Sequence, residues 1–165
     1  MSIVCADNPN EHIITIHKAV EENGIRKIKI YDPCGGDTVW GHLEYKIDKV
    51  RFAGKTPRPG PPYFTIYGIY SSVSKYTKNP LYTDPEAYQK GVGAVLMYLA
   101  GMSARRQGYT AMFVYLVVGK AKGFYRKVGF SEILGECHES DHFRGETATV
   151  VAQSLAEARK NKWSV

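Results

Sequence analysis

The sequence predicts an α/β fold, a mixed β-sheet with helices on both faces, and three stretches carry that expectation. Arg26–Asp32 and Thr38–Ile47 alternate apolar and polar residues on either side of a Pro-Cys-Gly-Gly-Asp turn, the pattern of a β-hairpin. Gly91–Gln107 sets Val92, Val95, Leu96, Leu99 and Met102 at helical spacing, with Arg105 and Arg106 at its end and Gly108 as the stop. Tyr109–Val118 is almost uninterrupted apolar sequence, as expected of a strand covered on both faces at a sheet centre.

The remaining elements follow in order. Ser2–Ala6 is a short apolar run read as an edge strand. Asn8 then caps a helix start, with Pro9 at its first position and Glu11 three residues beyond the cap. Ile13, Ile16, His17 and Val20 fall on one helical face, and Asn23-Gly24 supplies the stop. After the hairpin, Gly54–Pro62 (GKTPRPGPP) reads as an exposed loop and Tyr63–Val73 as a third strand. Ser74–Tyr88 is a polar connection broken by Pro80 and Pro85, of a length that usually has a function. Further on, Lys120–Lys127 is a short helix ended by Gly129, and Phe130–Leu134 and Glu146–Ala152 are strands. The expected order is β-α-β-β-β-α-β-α-β-β in a single domain spanning 1–165, with 154–165 as a charged C-terminal helix or tail.

Bulk properties exclude several classes. The 165 residues suffice to bury a core, and 44% hydrophobic with 23% charged content is too apolar for a disordered chain. No run approaches the roughly 20 apolar residues that span a bilayer. Met1–Asp7 lacks the basic and apolar regions of a secretory signal, so no membrane association is expected. Three widely spaced cysteines, Cys5, Cys34 and Cys137, point to a reducing, cytoplasmic compartment rather than a disulfide framework. A formal charge of +6 suits acidic partners or simple solubility.

The chemistry concentrates in Leu81–Phe130, which opens on LYTDPEAYQKGVG and closes on AKGFYRKVGF. Gly91-Val92-Gly93 ahead of a helix can bring unpaired backbone N–H groups close to an anion. A dinucleotide fingerprint would need a third glycine and an acidic residue about 20 residues on, and neither is present. Gly54-Lys55-Thr56 ends like a phosphate loop, but Lys49 stands where its first glycine belongs and no helix follows.

These two stretches resemble the two signatures of the GCN5-related N-acetyltransferases (GNAT). The first is similar to the acyl-CoA pyrophosphate loop, a strand end followed by Gln/Arg-x-x-Gly-x-Gly/Ala. The second is Ala-x-x-Phe-Tyr-x-Lys-x-Gly-Phe, which residues 121–130 match throughout. The resemblance implies a GNAT-like mixed sheet and acetyl-CoA as cosubstrate. It implies that the backbone amides of Gln89, Lys90, Gly91, Val92, Gly93 and Ala94 cradle the pyrophosphate, with the charges of Lys90 and Lys122 beside the cofactor. It places the acetyl carbonyl or pantetheine arm at the strand end near Thr83, and makes Tyr125 the acid that protonates the departing thiolate. Three features depart from the family pattern: Tyr88 at the Gln/Arg position, Val118 where many members have Asn, and the long approach to the loop.

An acceptor amine must lose a proton before attack. Tyr63–Val73 offers no carboxylate, so the candidate bases are Glu44 on the hairpin, Asp84 or Glu86 before the turn, and His138 or Glu139. Glu44 and Glu86 are the two carried forward. Cys137, His138, Asp141 and His142 are ligand-type side chains, but they sit in a loop with Ser140 and Gly145 and no metal is expected. Tyr63 and Tyr67 share a face of the third strand, with Tyr70 pointing opposite.

The expected activity is acetyl transfer from acetyl-CoA to a primary amine by direct attack on the thioester. A small amine, a protein amine and an aminoacyl-tRNA are compatible acceptors, so RNA, protein and a second copy of the chain are the partners to consider. Tyr88, Val118 and the missing carboxylate motivate the alternative, a non-catalytic acyl-CoA sensor or nucleic-acid-binding module on the same fold.

Overall fold

The computed structural model describes residues 4–5, 16–17, 23–31, 39–53, 56–71, 91–115, 117, 119–133, 142–161 and 163–164. Its strands are β1 (Val4–Cys5), β2 (Ile16–His17), β3 (Arg26–Tyr31), β4 (Val39–Ala53), β5 (Thr56–Ser71), β6 (Ala111–Val114), β7 (Ser131–Glu132), β8 (Phe143–Glu146) and β9 (Trp163–Ser164). Its helices are α1 (Val92–Arg106), α2 (Lys122–Lys127) and α3 (Thr147–Lys160). Seven strands form one mixed sheet in the order β2-β3-β4-β5-β6-β8-β7, and β1 pairs separately with β9. Only β5 and β6 run parallel, with Phe64, Thr65 and Ile66 opposite Met112, Phe113 and Val114. Parallel neighbours need a crossover connection, and α1 supplies it.

Alternation along the strands decides what each sheet face meets. Ile28, Ile30, Leu43, Tyr45, Phe64, Ile66, Met112, Val114 and Phe143 are buried on one face. Helix α1 lies against that face through Val92, Val95, Leu96 and Leu99, the residues its spacing selects. Gly41 permits the approach, because a Cβ there would meet Val92 Cγ1 at 2.9 Å and Leu96 Cδ1 at 3.2 Å. Helix α3 joins the same face, where Val150 covers Gly145 and Val151 packs against Gly101 of α1. The opposite face carries the polar members of the ladder, among them Lys27, Lys29, His42, Glu44, Lys46 and Asp48.

Three segments differ from their sequence reading. Ile16 and His17, expected within a helix, pair with Ile30 and Lys29 as β2. Asn23 and Gly24 both have positive φ, 55° and 74°, so the stop signal is spent in the turn that leads into β3. Thr56–Pro62, expected as loop, is the first part of β5 and pairs with the end of β4 from Val50 to Ala53. Pro57 and Pro59, opposite Phe52 and Val50, occupy alternate positions, so their missing donors fall on one side, and Pro61 and Pro62 follow at the register shift between Asp48 and Val50. Glu146–Ala152, expected as strand, is the end of β8 and the first turns of α3. Thr147, Val150, Ser154 and Ala158 are buried at helical spacing there, and packing outweighs the β-branched run TATVV. The charged C-terminal end is correspondingly the second half of α3, followed by β9 with a buried Trp163.

Gly41→Ala tests how closely α1 must sit. The new methyl would also meet the Tyr70 carbonyl oxygen at 2.9 Å, and backbone cannot swing aside. A loss of about 1–3 kcal/mol in urea unfolding is expected, with far-UV circular dichroism unchanged. Wild-type stability in this variant would mean that the helix has slack over β4.

Candidate active site

The parallel pair opens at its C-terminal end. Tyr115 N–H donates to the Ile66 carbonyl at 3.0 Å, the last β5–β6 bond among the described residues. At the same level β5 carries one extra residue: Tyr45 of β4 faces Ile66 and Glu44 faces Gly68, leaving Tyr67 unpaired in a β-bulge. Helices α1 and α2 both start from this end of the sheet, where open α/β sheets bind ligands.

Helix α1 begins at Gly91, whose φ of 88° is left-handed and suited to glycine. A side chain there would also collide with Asn161 Cβ at 2.8 Å and Trp163 Nε1 at 3.0 Å, so the C-terminal strand closes the back of the cap. No side chain caps the helix and its first turn holds no acidic residue. The Val95 N–H reaches the Gly91 carbonyl at 3.0 Å, so Val92, Gly93 and Ala94 have no carbonyl within the helix to bond. This chemistry suits a phosphate anion and repels none.

Helix α2 brings the second stretch onto the first. A Cβ on Gly93 would touch the Phe124 ring at 3.3 Å, so the edge of the ring rests against the opening turn of α1. The next residue, Tyr125, is 6% exposed and edge-packed among Phe124, Phe130 and Phe143. Burial pushes its phenol up to about 12, and the nearby Tyr70 adds to the rise. Tyr125 is therefore protonated across the physiological range. Lys122, at the start of α2, stands 3.8 Å from Glu132 Oε1.

Glu44 lies on the other sheet face, where its Oε1 is 3.0 Å from Lys27 Nζ and 3.7 Å from His42 Nε2. The bulge corrects the expected tyrosine pattern. Tyr63 faces Asp48 and Tyr70 faces His42 across the β4–β5 ladder, so with the extra residue Tyr70 joins Tyr63 and Tyr67 on this face. Tyr67 donates to Asp48 Oδ2 at 2.7 Å and tilts against Tyr115 at 5.6 Å. Burial first, then Asp48, raises the Tyr67 phenol well above the usual tyrosine range. Tyr70 stacks on His42 at 4.6 Å, and His42, lowered chiefly by burial and also by Lys27 and Lys29 against the opposing pull of Glu44, is neutral at pH 7.

Of the residues singled out from sequence, Gly91, Val92, Gly93, Ala94 and Tyr125 thus gather around the opening, Lys122 starts α2 with its amine toward Glu132, and Glu44 stands on the far face. Thr83, Glu86, Gln89 and Lys90 lie outside the described residues, as do Asp84, Tyr88, Val118, Cys137, His138, Glu139 and Asp141. His142 is described, and it packs edge-on against Tyr115 at 4.8 Å. Among the described residues no group of His, Cys, Asp and Glu could hold a metal, and no helix is long and apolar enough to cross a membrane. His42 is not among the residues singled out from sequence, and Tyr70, expected to point opposite to Tyr63 and Tyr67, stands beside it. Alternation alone would have set His42 beside Glu44, but the position of Tyr70 depends on a bulge that no residue type announces.

No family model and no curated protein sequence matches the chain. Solved structures do. AtaT complexed with acetyl-methionyl-tRNAfMet aligns at TM-score 0.56 and 14% identity, over 83% of this chain and 96% of that one. AtaTR bound with acetyl-CoA aligns at 0.53 and 17% identity, over 78% and 73%. The KacTA–DNA complex aligns at 0.53 and 16% identity, over 82% and 76%. The chain has the fold of the GCN5-related N-acetyltransferases, as its two signatures implied.

The Tyr125 phenol carries a pH signature. A phenol raised from 10.0 to about 12 on folding contributes stability that is whole below pH 10 and is lost as pH rises through 12. Tyr125→Phe removes this dependence. The stability gap between wild type and variant should narrow by on the order of 2 kcal/mol across that window in urea titrations, and a constant gap would mean the phenol is solvated.

Proposed function

We propose that the protein is an N-acetyltransferase that moves an acetyl group from acetyl-CoA to a primary amine. The observation that carries this reading is the packing of Phe124 on Gly93, which sets an uncapped helix N-terminus and a buried, protonated tyrosine at one opening of the sheet. The first turn of α1, Gly91 to Ala94, binds the pyrophosphate through backbone N–H groups, with Gln89 and Lys90 leading into it. Thr83 and the residues beside it receive the acetyl-bearing arm. Lys122 adds positive charge at the start of α2.

Direct attack needs no covalent enzyme intermediate. The neutral amine forms the new C–N bond as the C–S bond breaks, and Tyr125 gives its proton to the departing sulfur. The proton shed by the new amide nitrogen restores Tyr125. A phenol this buried has little water to compete for that proton.

Aminoacyl-tRNA is the acceptor to try first. The charge of +6 favours a polyanion, and a neighbour in fold, AtaT, is complexed with acetyl-methionyl-tRNAfMet. Thiol release from acetyl-CoA, screened against charged tRNA, peptides and small amines, distinguishes the classes. The alternative of a binding module predicts RNA binding that falls steeply with salt and no thiol release.

Isothermal titration should show acetyl-CoA binding, and its absence would overturn the reading at its root. Tyr125→Phe should bind acetyl-CoA normally yet turn over about 10²-fold more slowly. Unimpaired turnover would remove Tyr125 from the mechanism while leaving the fold's cofactor site intact.

A further inference from the structure

The face of the sheet opposite α1 holds a cluster that the mechanism above leaves unused. His42 and Tyr70 are partners across the β4–β5 ladder, and their rings stack at 4.6 Å with 20° between planes. The Tyr70 ring folds back along β5 over Gly68, where a Cβ would meet it at 2.7 Å and its hydroxyl at 2.8 Å. Gly68 directly follows the bulge residue Tyr67, so the cluster sits at the level where β5 and β6 part. Tyr70 also adds, after burial, to the rise of the Tyr125 phenol on the helix-covered side, so the two phenols lie near each other. The cluster and the buried phenol therefore flank one opening from its two sides.

We propose that His42 is the general base that takes the proton from the acceptor amine, with Glu44 holding the resulting imidazolium. The proposal rests on the acetyltransferase reading. Glu44 is less suited to the task itself, because Lys27 Nζ already occupies its carboxylate at 3.0 Å. The imidazole Nε2 lies 3.7 Å from that same carboxylate, so a proton gained by the ring gains an ion-pair partner. The His42 side chain is 30% exposed, enough to meet an acceptor and to pass its proton on to water. The groups facing it among the described residues are Lys27 and Lys29 from β3, Glu44 from its own strand and Tyr70 from β5. Burial and the two lysines keep the ring neutral at pH 7, the form a base requires.

The protons balance. One N–H bond of the alkylammonium breaks and an N–H bond on His42 forms. The freed amine makes the C–N bond, the C–S bond breaks, and Tyr125 protonates the sulfur and is restored by the amide nitrogen. His42 then releases its proton to solvent, so each turnover yields amide, thiol and one proton. The match of base to acid also narrows the acceptor. An imidazole held below its ordinary value is a weak base, closer in proton affinity to an α-amine of about 8 than to a lysine amine of about 10.4. The base therefore suits an α-amino group, as at a peptide N-terminus or an aminoacyl ester.

The test follows thiol release from acetyl-CoA with glycinamide as the probe amine, between about pH 5 and pH 9, a range that brackets free imidazole and the α-amine. Wild type should show a limb that rises with pH as His42 loses its proton. His42→Ala should bind acetyl-CoA within about twofold of wild type, lose about 10²-fold in kcat together with that limb, and regain turnover with added imidazole. His42→Gln repeats the comparison if the alanine variant does not fold. A variant that keeps both kcat and the limb, or whose loss leaves the pH profile unchanged, overturns the assignment. Greater activity on an N-acetylated lysine amide than on glycinamide overturns the α-amine preference. Failure of wild type to bind acetyl-CoA would instead bring down the acetyltransferase reading, and titration separates the two.

Discussion

The opening of the sheet depends on one residue that β4 does not pair. Up to Ile66, strand β5 sends Phe64 and Ile66 toward α1 and Thr65 away from it. Tyr67 is then inserted without a partner, and the phase reverses, so that Ile69 points to the helix and Gly68 and Tyr70 point away. A strand bent and twisted in this way parts from a straight neighbour, and β6 makes its last bond to it through Tyr115. Without the extra residue Tyr70 would lie under α1, in space already filled by Val92 and Leu96. The bulge thus makes the crevice and furnishes it at once.

What gathers around the crevice does so because several neighbours lack side chains. Phe124 can rest on α1 only because residue 93 is glycine, and Trp163 can close on the cap only because residue 91 is glycine. Gly41 lets the helix reach β4, and Gly68 lets the Tyr70 ring lie along its strand. Each approach is tighter than ordinary packing would allow a Cβ, so the positions of the α1 N-terminus, Tyr125 and Tyr70 are set together rather than one by one. On the proposed reading, an anion site and a proton donor fixed by the same backbone contacts need little reorganisation when substrate arrives.

The parts of this arrangement that were legible in the sequence are those written in local pattern. The β3–β4 hairpin, α1 with its Arg105–Arg106 end, and the short α2 stopped by Gly129 follow from alternation, spacing and glycine stops. The signature residues Gly91, Gly93, Phe124 and Tyr125 could be named in advance, though not the contact that joins them. The misreadings arose where one signal serves two structures. Asn-Gly ends a helix or turns a hairpin, and here it turns. Alternate prolines break a central strand yet are harmless at one side of an antiparallel ladder, as Pro57 and Pro59 are against β4. In α3 a β-branched run is helical because Thr149 and Val150 must close on Gly129 and Gly145. Each choice is made by tertiary packing, which no short window contains.

The two sides of the opening also differ in what they do to a proton. On the helix side Tyr125 is enclosed by three phenylalanines, and desolvation disfavours its anion. On the other side His42 is half-exposed between two lysines and a carboxylate, where its charged form is reachable but not preferred. A direct acyl transfer has to remove one proton from nitrogen and deliver one to sulfur, at centres only a few bonds apart. Each group rests in the form its proposed role requires, the phenol protonated and the imidazole neutral. The proposed acid and base lie on opposite sides of the sheet, beside the opening that follows the bulge. The shifts of Tyr125 and His42 run in opposite directions from one chief cause, burial, which disfavours the phenolate of the one and the imidazolium of the other.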